Sequence, residues 1–255
     1  MLSLVVLVFV LFGFVSNEKK KQTLQAIVVD IDNSQGHYFV SAEDVKEVFY
    51  DQGFKLNEPF AYTELKILEK KLMEHPSIKN AEVYLTISGQ LKFKISQRKP
   101  LVRVYSKRGD TYYIDEDGLL MPTSTEYTAH VPVANGNILF NYPQDRRINL
   151  ASEKEFPDSL SRYNVLKSVY EIAKYIHQYP FWDAQISQIY VNQMNEIELI
   201  PRVGSHTILL GNTQELDRKF KTLKVFYTKG LNKVGWNHYS EINLKYKNQV
   251  VCKKL

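Results

Sequence analysis

The chain has 255 residues, 44% of them hydrophobic and 24% charged, which is enough to bury the core of one large domain or of two modest ones. Its formal net charge of +5 is spread over short basic pairs near apparent turns, which argues against the concentrated basic surface of a nucleic-acid-binding protein and leaves attraction to anionic lipid or an acidic partner open. A single cysteine, Cys252, excludes an internal disulfide, and we expect it to be a strand residue.

The first predicted element is a membrane anchor over residues 1–17. Residues 2–15 (LSLVVLVFVLFGFV) carry no charge, and the apolar run as a helix would extend about 24 Å, against a hydrocarbon core of about 30 Å. A signal peptide would have a basic start and a small-residue cleavage site, and a core helix would have a polar face; the run has none of these. Three lysines follow the anchor, in the linker 18–23. Basic residues favour the cytoplasmic side of a membrane, so these lysines alone would place the rest of the chain in the cytoplasm. We therefore expect the natural chain to begin a few residues earlier, with basic residues before the anchor.

Residues 24–100 predict a β-α-α-β-β module. The mostly apolar run at 24–31 predicts a strand, and Ser41, with two acidic residues just after it, predicts the start of a helix. A second helix is expected further along, because leucines recur on one helical face. The period then changes from 3.6 to 2: apolar and polar residues alternate through 81–96, interrupted by a Ser-Gly step, which predicts a hairpin.

Residues 101–255 combine short β-like runs with two helices, which predicts an α+β chain whose second module is a mixed, mainly antiparallel β domain. The first helix is expected near 158–178, ending before Pro180, and the second from Thr213 to Gly230. The last segment, YSEINLKYKNQVVCKKL, predicts strand, turn, strand. The other predicted strands are 101–105, 111–114, 138–142, 184–191, 196–200 and 205–210.

The stretch YYIDEDGLLMP, residues 112–122, contains three carboxylates, at Asp115, Glu116 and Asp117. They fit a calcium loop poorly, because the glycine and the later ligand positions are misplaced. Neighbouring carboxylates in a tight turn also do not face each other across a cleft, as glycoside hydrolysis requires. The Asp-Gly step between two apolar runs favours a turn inside the β domain, with its charges in water.

The sequence contains no recognisable catalytic constellation. The six histidines are far apart and mostly expected on the surface, and no metal, nucleotide or hydrolase motif occurs. Ser205 and His206 are adjacent, but neighbours on a strand face opposite sides and make a poor nucleophile and base. Trp182 and Trp236 are expected to pack in the core rather than to anchor a partner. We therefore expect no enzyme activity, cofactor, metal, nucleic acid or small-molecule substrate.

The β-α-α-β-β order directly after an anchor resembles a POTRA domain. More specifically, the segments HYFVSAEDV, LMEHPSIKNAEVYL, GQLKFKISQRKPLVRV and YYIDEDGLLMP follow one another as in the FtsQ/DivIB cell division proteins, in the form found in Bacteroidota-type bacteria. The pattern ILLG, a helix, and then INLKY resembles the C-terminal end of that family, although Asn243 and Lys245 stand where the family often has Asp and Arg. The resemblance covers nearly the whole chain.

The resemblance implies a bitopic divisome scaffold, with one transmembrane helix in the cytoplasmic (inner) membrane and the bulk of the chain in the periplasm at the division septum. Such proteins recruit FtsB and FtsL, and through them the septal peptidoglycan synthesis machinery. The terminal strand of a sheet has unpaired backbone groups, so a partner can add to it as another strand.

The same resemblance nominates the residues that contact partners. The late strand with the LKY-type motif belongs to the family's binding region, so partner contact is assigned to Tyr246 and, more weakly, to its neighbours Leu244 and Lys247. Arg98 and Lys99, at the hinge between the modules, are weaker candidates for exposed contacts.

Two other classes of protein stay open. A POTRA chaperone for outer-membrane protein assembly or secretion would use the same strand addition, although such proteins usually carry tandem POTRA units or a long barrel. A peptidoglycan-modifying hydrolase would need a catalytic constellation, which this sequence lacks.

Overall fold

The computed structural model describes residues 22–34, 36–142, 148–152, 161–247 and 249–255. The anchor predicted over residues 1–17 lies outside the described residues, as does most of the predicted linker. Within the described ranges, no helix is both long and apolar enough to cross a bilayer. The chain divides into two compact units, with the boundary between Arg98 and Lys99.

The first unit contains a three-stranded sheet and two helices. Its elements are β1 (Gln22–Thr23), β2 (Ala26–Asp32), α1 (Ala42–Asp51), β3 (Pro59–Phe60), α2 (Tyr62–Met73), β4 (Ile78–Leu85) and β5 (Gln90–Gln97). The sheet order is β2-β5-β4, in which β2 runs parallel and β4 antiparallel to β5. The predicted β-α-α-β-β order is therefore present, and the short strands β1 and β3, which pair with each other, are an addition to it.

Local signals explain these elements. The backbone N–H of Asp44 donates to Ser41 Oγ (3.1 Å) and the N–H of Ser41 donates to Asp44 Oδ2 (2.7 Å). Ser41 is therefore the N-cap that the sequence predicts, and the structure adds a capping box with Asp44. The alternating apolar residues of the hairpin face inward, except Ile87, which lies in the connection between the two strands and is fully exposed. Those in the core are Ala81, Val83 and Leu85 from β4 and Leu91, Phe93 and Ile95 from β5.

Gln97, the last residue of β5, is buried and holds the loop between β2 and α1. Its Oε1 accepts hydrogen bonds from the N–H groups of Phe39 (2.7 Å) and Val40 (3.0 Å). Its Nε2 donates to Asn33 Oδ1 (2.7 Å) and to the carbonyl oxygen of His37 (2.8 Å). One buried amide thereby satisfies four polar groups of a single loop.

The second unit is built on a nine-stranded sheet in the order β14-β13-β12-β11-β10-β9-β6-β7-β8. Five neighbouring pairs are antiparallel and three are parallel, in agreement with the predicted mixed, mainly antiparallel sheet. The strands are β6 (Pro100–Tyr105), β7 (Thr111–Asp115), β8 (Leu120–Pro122), β9 (Val133–Gly136), β10 (Ile186–Val191), β11 (Ile197–Pro201), β12 (Thr207–Gly211), β13 (Tyr239–Asn243) and β14 (Val251–Lys254). The helices are α3 (Ser161–Gln178), α4 (Pro180–Gln185), α5 (Leu216–Val225), a π-helical segment (Phe226–Leu231) and α6 (Asn232–Val234).

Two helix predictions need correction. Pro180 does end the first long helix, but it also occupies the first position of α4, where its fixed φ and missing N–H are tolerated. The second long helix begins at Leu216 rather than near Thr213, and it changes to π-helical geometry at Phe226. The described part of this unit therefore holds more helical segments than the two expected.

The strand predicted at 138–142 is also wrong. The strand in this region is β9, Val133–Gly136, which ends in an Asn-Gly step, a dipeptide more typical of turns. β9 lies between β6 and β10 and is parallel to both. Ile138 and Phe140 are buried in the core without belonging to a strand. Their apolar character reflects burial alone, which sequence periodicity does not distinguish from a short buried strand.

An aromatic cluster joins the helical segments of this unit and is part of its core. Trp182 on α4 contacts the rings of Phe220 (5.1 Å between centroids) and Tyr227 (5.8 Å), and all three are buried. Trp236 is half-buried and meets the ring of Tyr227 edge-on at 5.1 Å. The expectation that both tryptophans pack on the core agrees with this arrangement.

Candidate partner-binding edge

The C-terminal strand β14 lies at one end of the nine-stranded sheet. It pairs antiparallel with β13, and its outer flank faces no other strand among the described residues. Val251 is exposed, and Lys253 Nζ lies 3.1 Å from Glu241 Oε1 on β13. Cys252 is half-buried, and burial raises the pKa of its thiol. An edge of this kind offers backbone donors and acceptors to an extended segment.

The turn between β13 and β14 carries the three residues nominated near the C-terminus. β13 ends at Asn243, so Tyr246 lies in this turn and not in the strand that its sequence suggested. The side chain of Tyr246 is 49% exposed, and Lys247 is exposed as well. Leu244 differs, because its side chain is buried in the core and its N–H donates to the carbonyl oxygen of Leu209 (3.0 Å). Leu244 therefore packs in the core and fixes the start of the turn to β12, and its side chain is not available on the surface.

An ion pair holds this turn against the neighbouring part of the sheet. Lys245 Nζ lies 3.0 Å from Glu196 Oε2 and 3.3 Å from Glu196 Oε1, and Glu196 belongs to the connection between β10 and β11. The N–H of Lys245 donates to Asn243 Oδ1 (2.9 Å), which closes the turn locally. Both contacts involve Lys245, the residue directly before Tyr246.

The adjacent Ser205 and His206 have separate partners. Ser205 Oγ lies 3.1 Å from Asn237 Oδ1, whereas His206 is buried with Nε2 2.8 Å from Tyr227 Oη. The other five histidines are half-buried or exposed, so His206 is an exception to the expectation that they lie mostly on the surface. Desolvation lowers the pKa of His206 and raises the pKa of Tyr227, so the pair is held neutral at physiological pH. Both residues serve as packing groups of the core.

The carboxylates of the DEDG stretch form a turn between β7 and β8. The expectation that all of them face water is wrong for Asp115, which is 1% exposed. Its Oδ1 accepts a hydrogen bond from the N–H of Leu119 (2.7 Å), and its backbone N–H donates to the carbonyl oxygen of the same residue (2.9 Å). The side chain thus closes the turn. The described ranges contain no group of three or more acidic, histidine or cysteine side chains placed to hold a metal ion.

Gly118, in the same turn, has a matched control elsewhere in the second unit. Gly118 has φ +80°, and a Cβ there would lie 2.6 Å from the backbone nitrogen of Ala151; Gly109 has φ +95°, and a Cβ there would meet nothing within 4 Å. Both substitutions by alanine strain the backbone, but only Gly118→Ala adds a clash. We expect Gly118→Ala to lower the free energy of unfolding by about 2 kcal/mol more than Gly109→Ala.

Urea titrations followed by tryptophan fluorescence measure this difference, because both tryptophans of the chain, Trp182 and Trp236, lie in the second unit. Equal losses for the two variants would mean that the contact with residue 151 is relieved without cost.

The residues nominated between the modules lie at the boundary of the two units. Arg98 is the last residue of the first unit and Lys99 the first of the second, and both are half-buried. The N–H of Arg98 donates to the carbonyl oxygen of Ser77 (2.9 Å), and the carbonyl oxygen of Lys99 accepts from the N–H of Glu116 (3.0 Å). Each residue is therefore tied to its own unit through the backbone.

Each of the two units matches the model of a known protein family. Residues 99–253 match the family model described as FtsQ/DivIB, C-terminal related, and residues 22–96 match the model of a POTRA-like domain. No curated protein matches the chain. The two matched ranges correspond closely to the two compact units.

Proposed function

This chain belongs to the FtsQ/DivIB family, whose members are non-enzymatic cell division scaffolds, and from that premise we propose that it recruits FtsB- and FtsL-like proteins to the septum. Through these partners it brings in the machinery of septal peptidoglycan synthesis. The chain is anchored by a single span in the inner membrane, with both units in the periplasm. The POTRA-like unit helps to place it at the septum.

The observation that carries this proposal is the outer flank of β14, which pairs with no strand in the part of the chain that the structure describes. An extended segment of an FtsB-like partner adds to β14 as a further strand, and main-chain hydrogen bonds supply affinity. Side chains along and beside the edge supply selectivity. Tyr246 is the main contact, because its ring is exposed and lies in the turn that leads into this strand. Lys247 and Lys254, which are both exposed, favour a partner segment that carries acidic residues.

Tyr246→Ala tests the proposal. Removal of an exposed aromatic anchor should weaken binding to the FtsB-like partner by about 2 kcal/mol, or roughly 30-fold in Kd, because aromatic side chains at interfaces contribute much of the affinity. The measurement is biolayer interferometry with the full-length protein in detergent and the extracytoplasmic segment of the partner.

The matched control is Tyr84→Ala on β4, which removes a ring of similar exposure (47%) from the first unit and should leave Kd unchanged. Native affinity for a correctly folded Tyr246→Ala variant would remove Tyr246 from the interface. No measurable binding by the unaltered protein would remove the proposed recruitment itself.

A further inference from the structure

A groove of about 420 Å³ lies between α3, α4 and α5 of the second unit, on elements that carry no part of the β14 edge. Its volume is within the range of about 300–1,000 Å³ that is typical of ligand-binding pockets. The residues that line it are Tyr175, Tyr179, Pro180, Phe181, Trp182, Phe220, Lys221 and Lys224. Five of these eight residues are aromatic, so the surface of the groove is mainly apolar.

The floor of the groove is rigid because it is part of the core. Trp182 and Phe220 are buried, at 3% and 1% exposure. The ring of Tyr175 stacks on Phe220 with centroids 4.5 Å apart and an angle of 25° between the planes. Tyr179 continues this row at 4.8 Å from Tyr175 and is 43% exposed. An apolar side chain that enters the groove would therefore meet a preformed aromatic surface.

The rim of the groove is positively charged. Lys221 and Lys224 are one helical turn apart on α5, and both are exposed. Lys224 Nζ lies 5.2 Å above the ring of Phe181, in cation–π contact. Asp217, the acidic residue nearest in α5, has its Oδ1 engaged by the hydroxyl of Tyr175 (3.1 Å).

The remaining charges of α5 are neutralised or turned away from the groove. Arg218 pairs with Glu215 at 3.1 Å. Lys219 is buried, and its Nζ donates to the carbonyl oxygen (2.8 Å) and to Oδ1 (3.0 Å) of Asn212. The positive charge left at the rim therefore comes from the two exposed lysines.

We propose that this groove binds an acidic segment of a partner protein, which inserts an aromatic or branched aliphatic side chain between the tyrosines and contacts the two lysines with carboxylates. A saccharide would need several free polar side chains around the aromatic surface, whereas the groove offers two ammonium groups and tyrosine hydroxyls, one of them engaged by Asp217. The chemistry is that of an apolar anchor with a complementary charged rim. The interaction is separate from strand addition at β14.

The test places the photocrosslinking residue p-benzoylphenylalanine at position 179 of the full-length protein in dividing cells of the source bacterium. Crosslinked peptides are sequenced by mass spectrometry. We expect one partner peptide in which Asp and Glu flank an aromatic or branched aliphatic residue. Lys221→Glu/Lys224→Glu should reduce its yield about tenfold, because two attractive contacts become repulsive. Lys229→Glu/Lys233→Glu changes the net charge equally at exposed positions outside the groove and should have no effect.

The inference is overturned if position 179 captures nothing, captures lipid or glycan, captures peptides without acidic residues, or responds equally to both lysine variants. A parallel crosslinker at position 246 separates this outcome from the proposed function. If position 246 captures the FtsB-like protein and position 179 captures nothing, binding by the groove is refuted and strand addition at β14 is supported. If position 179 captures an acidic peptide and position 246 captures nothing, partner binding at the β14 edge is refuted and binding by the groove is supported.

Discussion

Gln97→Leu should lower the free energy of unfolding of the first unit by about 4 kcal/mol, because the substitution leaves the N–H groups of Phe39 and Val40 buried without an acceptor. It also removes the donor that serves Asn33 and the carbonyl oxygen of His37. Leucine is close to glutamine in volume, so the loss would come from hydrogen bonds and not from a cavity.

The two units can be followed separately in one experiment. Tryptophan fluorescence reports only the second unit, since Trp182 and Trp236 both lie there, whereas far-UV circular dichroism reports both units. In urea, Gln97→Leu should move the part of the dichroism transition that belongs to the first unit to lower concentration without moving the fluorescence transition. Gln25→Leu, at an exposed glutamine of the same unit, is the control and should leave both in place.

Hydrogen exchange gives a local readout of the same change. The amides of Phe39 and Val40 should exchange faster in Gln97→Leu than in the unaltered protein, because their acceptor is gone. Unchanged exchange at both amides would show that the loop finds other partners and that Gln97 does not hold it.

Trp182→Ala should lower the free energy of unfolding of the second unit by about 4 kcal/mol, since it empties the centre of an aromatic cluster. Trp182 is 3% exposed and contacts the rings of Phe181, Phe220 and Tyr227. The helix α3 and the strand β10, which flank α4 in the chain, would have to move to fill the cavity that the substitution leaves.

The comparison variant is Trp236→Ala, which removes a half-buried ring with one close aromatic partner and should cost about half as much. Each variant keeps one tryptophan, so fluorescence in urea still measures the transition of the second unit. Equal losses for the two variants would contradict the assignment of Trp182 to the centre of the core.

Much of the first unit follows from local sequence. The alternation through β4 and β5 places Val83, Phe93 and the other alternate apolar residues of these strands inside, and Ser41 starts α1 as the sequence predicts. These signals act over two to four residues, so one short stretch contains all the information they need. The resemblance in segment order to a known family is likewise present in the sequence alone, and the family comparison agrees with it.

The candidate site was only partly predictable. Tyr246 could be nominated by resemblance, but its position in a turn, and the burial of Leu244 two residues earlier, depend on where β13 ends against β12. The aromatic groove had no sequence signal, because Tyr175 and Lys221 come from helices more than forty residues apart that each look like an ordinary amphipathic segment.

The sequence by itself determined the periodic elements, the capped helix, the final hairpin and the family, since each depends on neighbouring residues or on order along the chain. The tertiary structure decided which polar groups are buried. Asp115 closes a turn, His206 packs on Tyr227, and Gln97 holds a loop about sixty residues earlier in the chain. The physical reason is that a polar side chain can be buried only where a partner satisfies it, and here that partner is supplied by the folded neighbourhood.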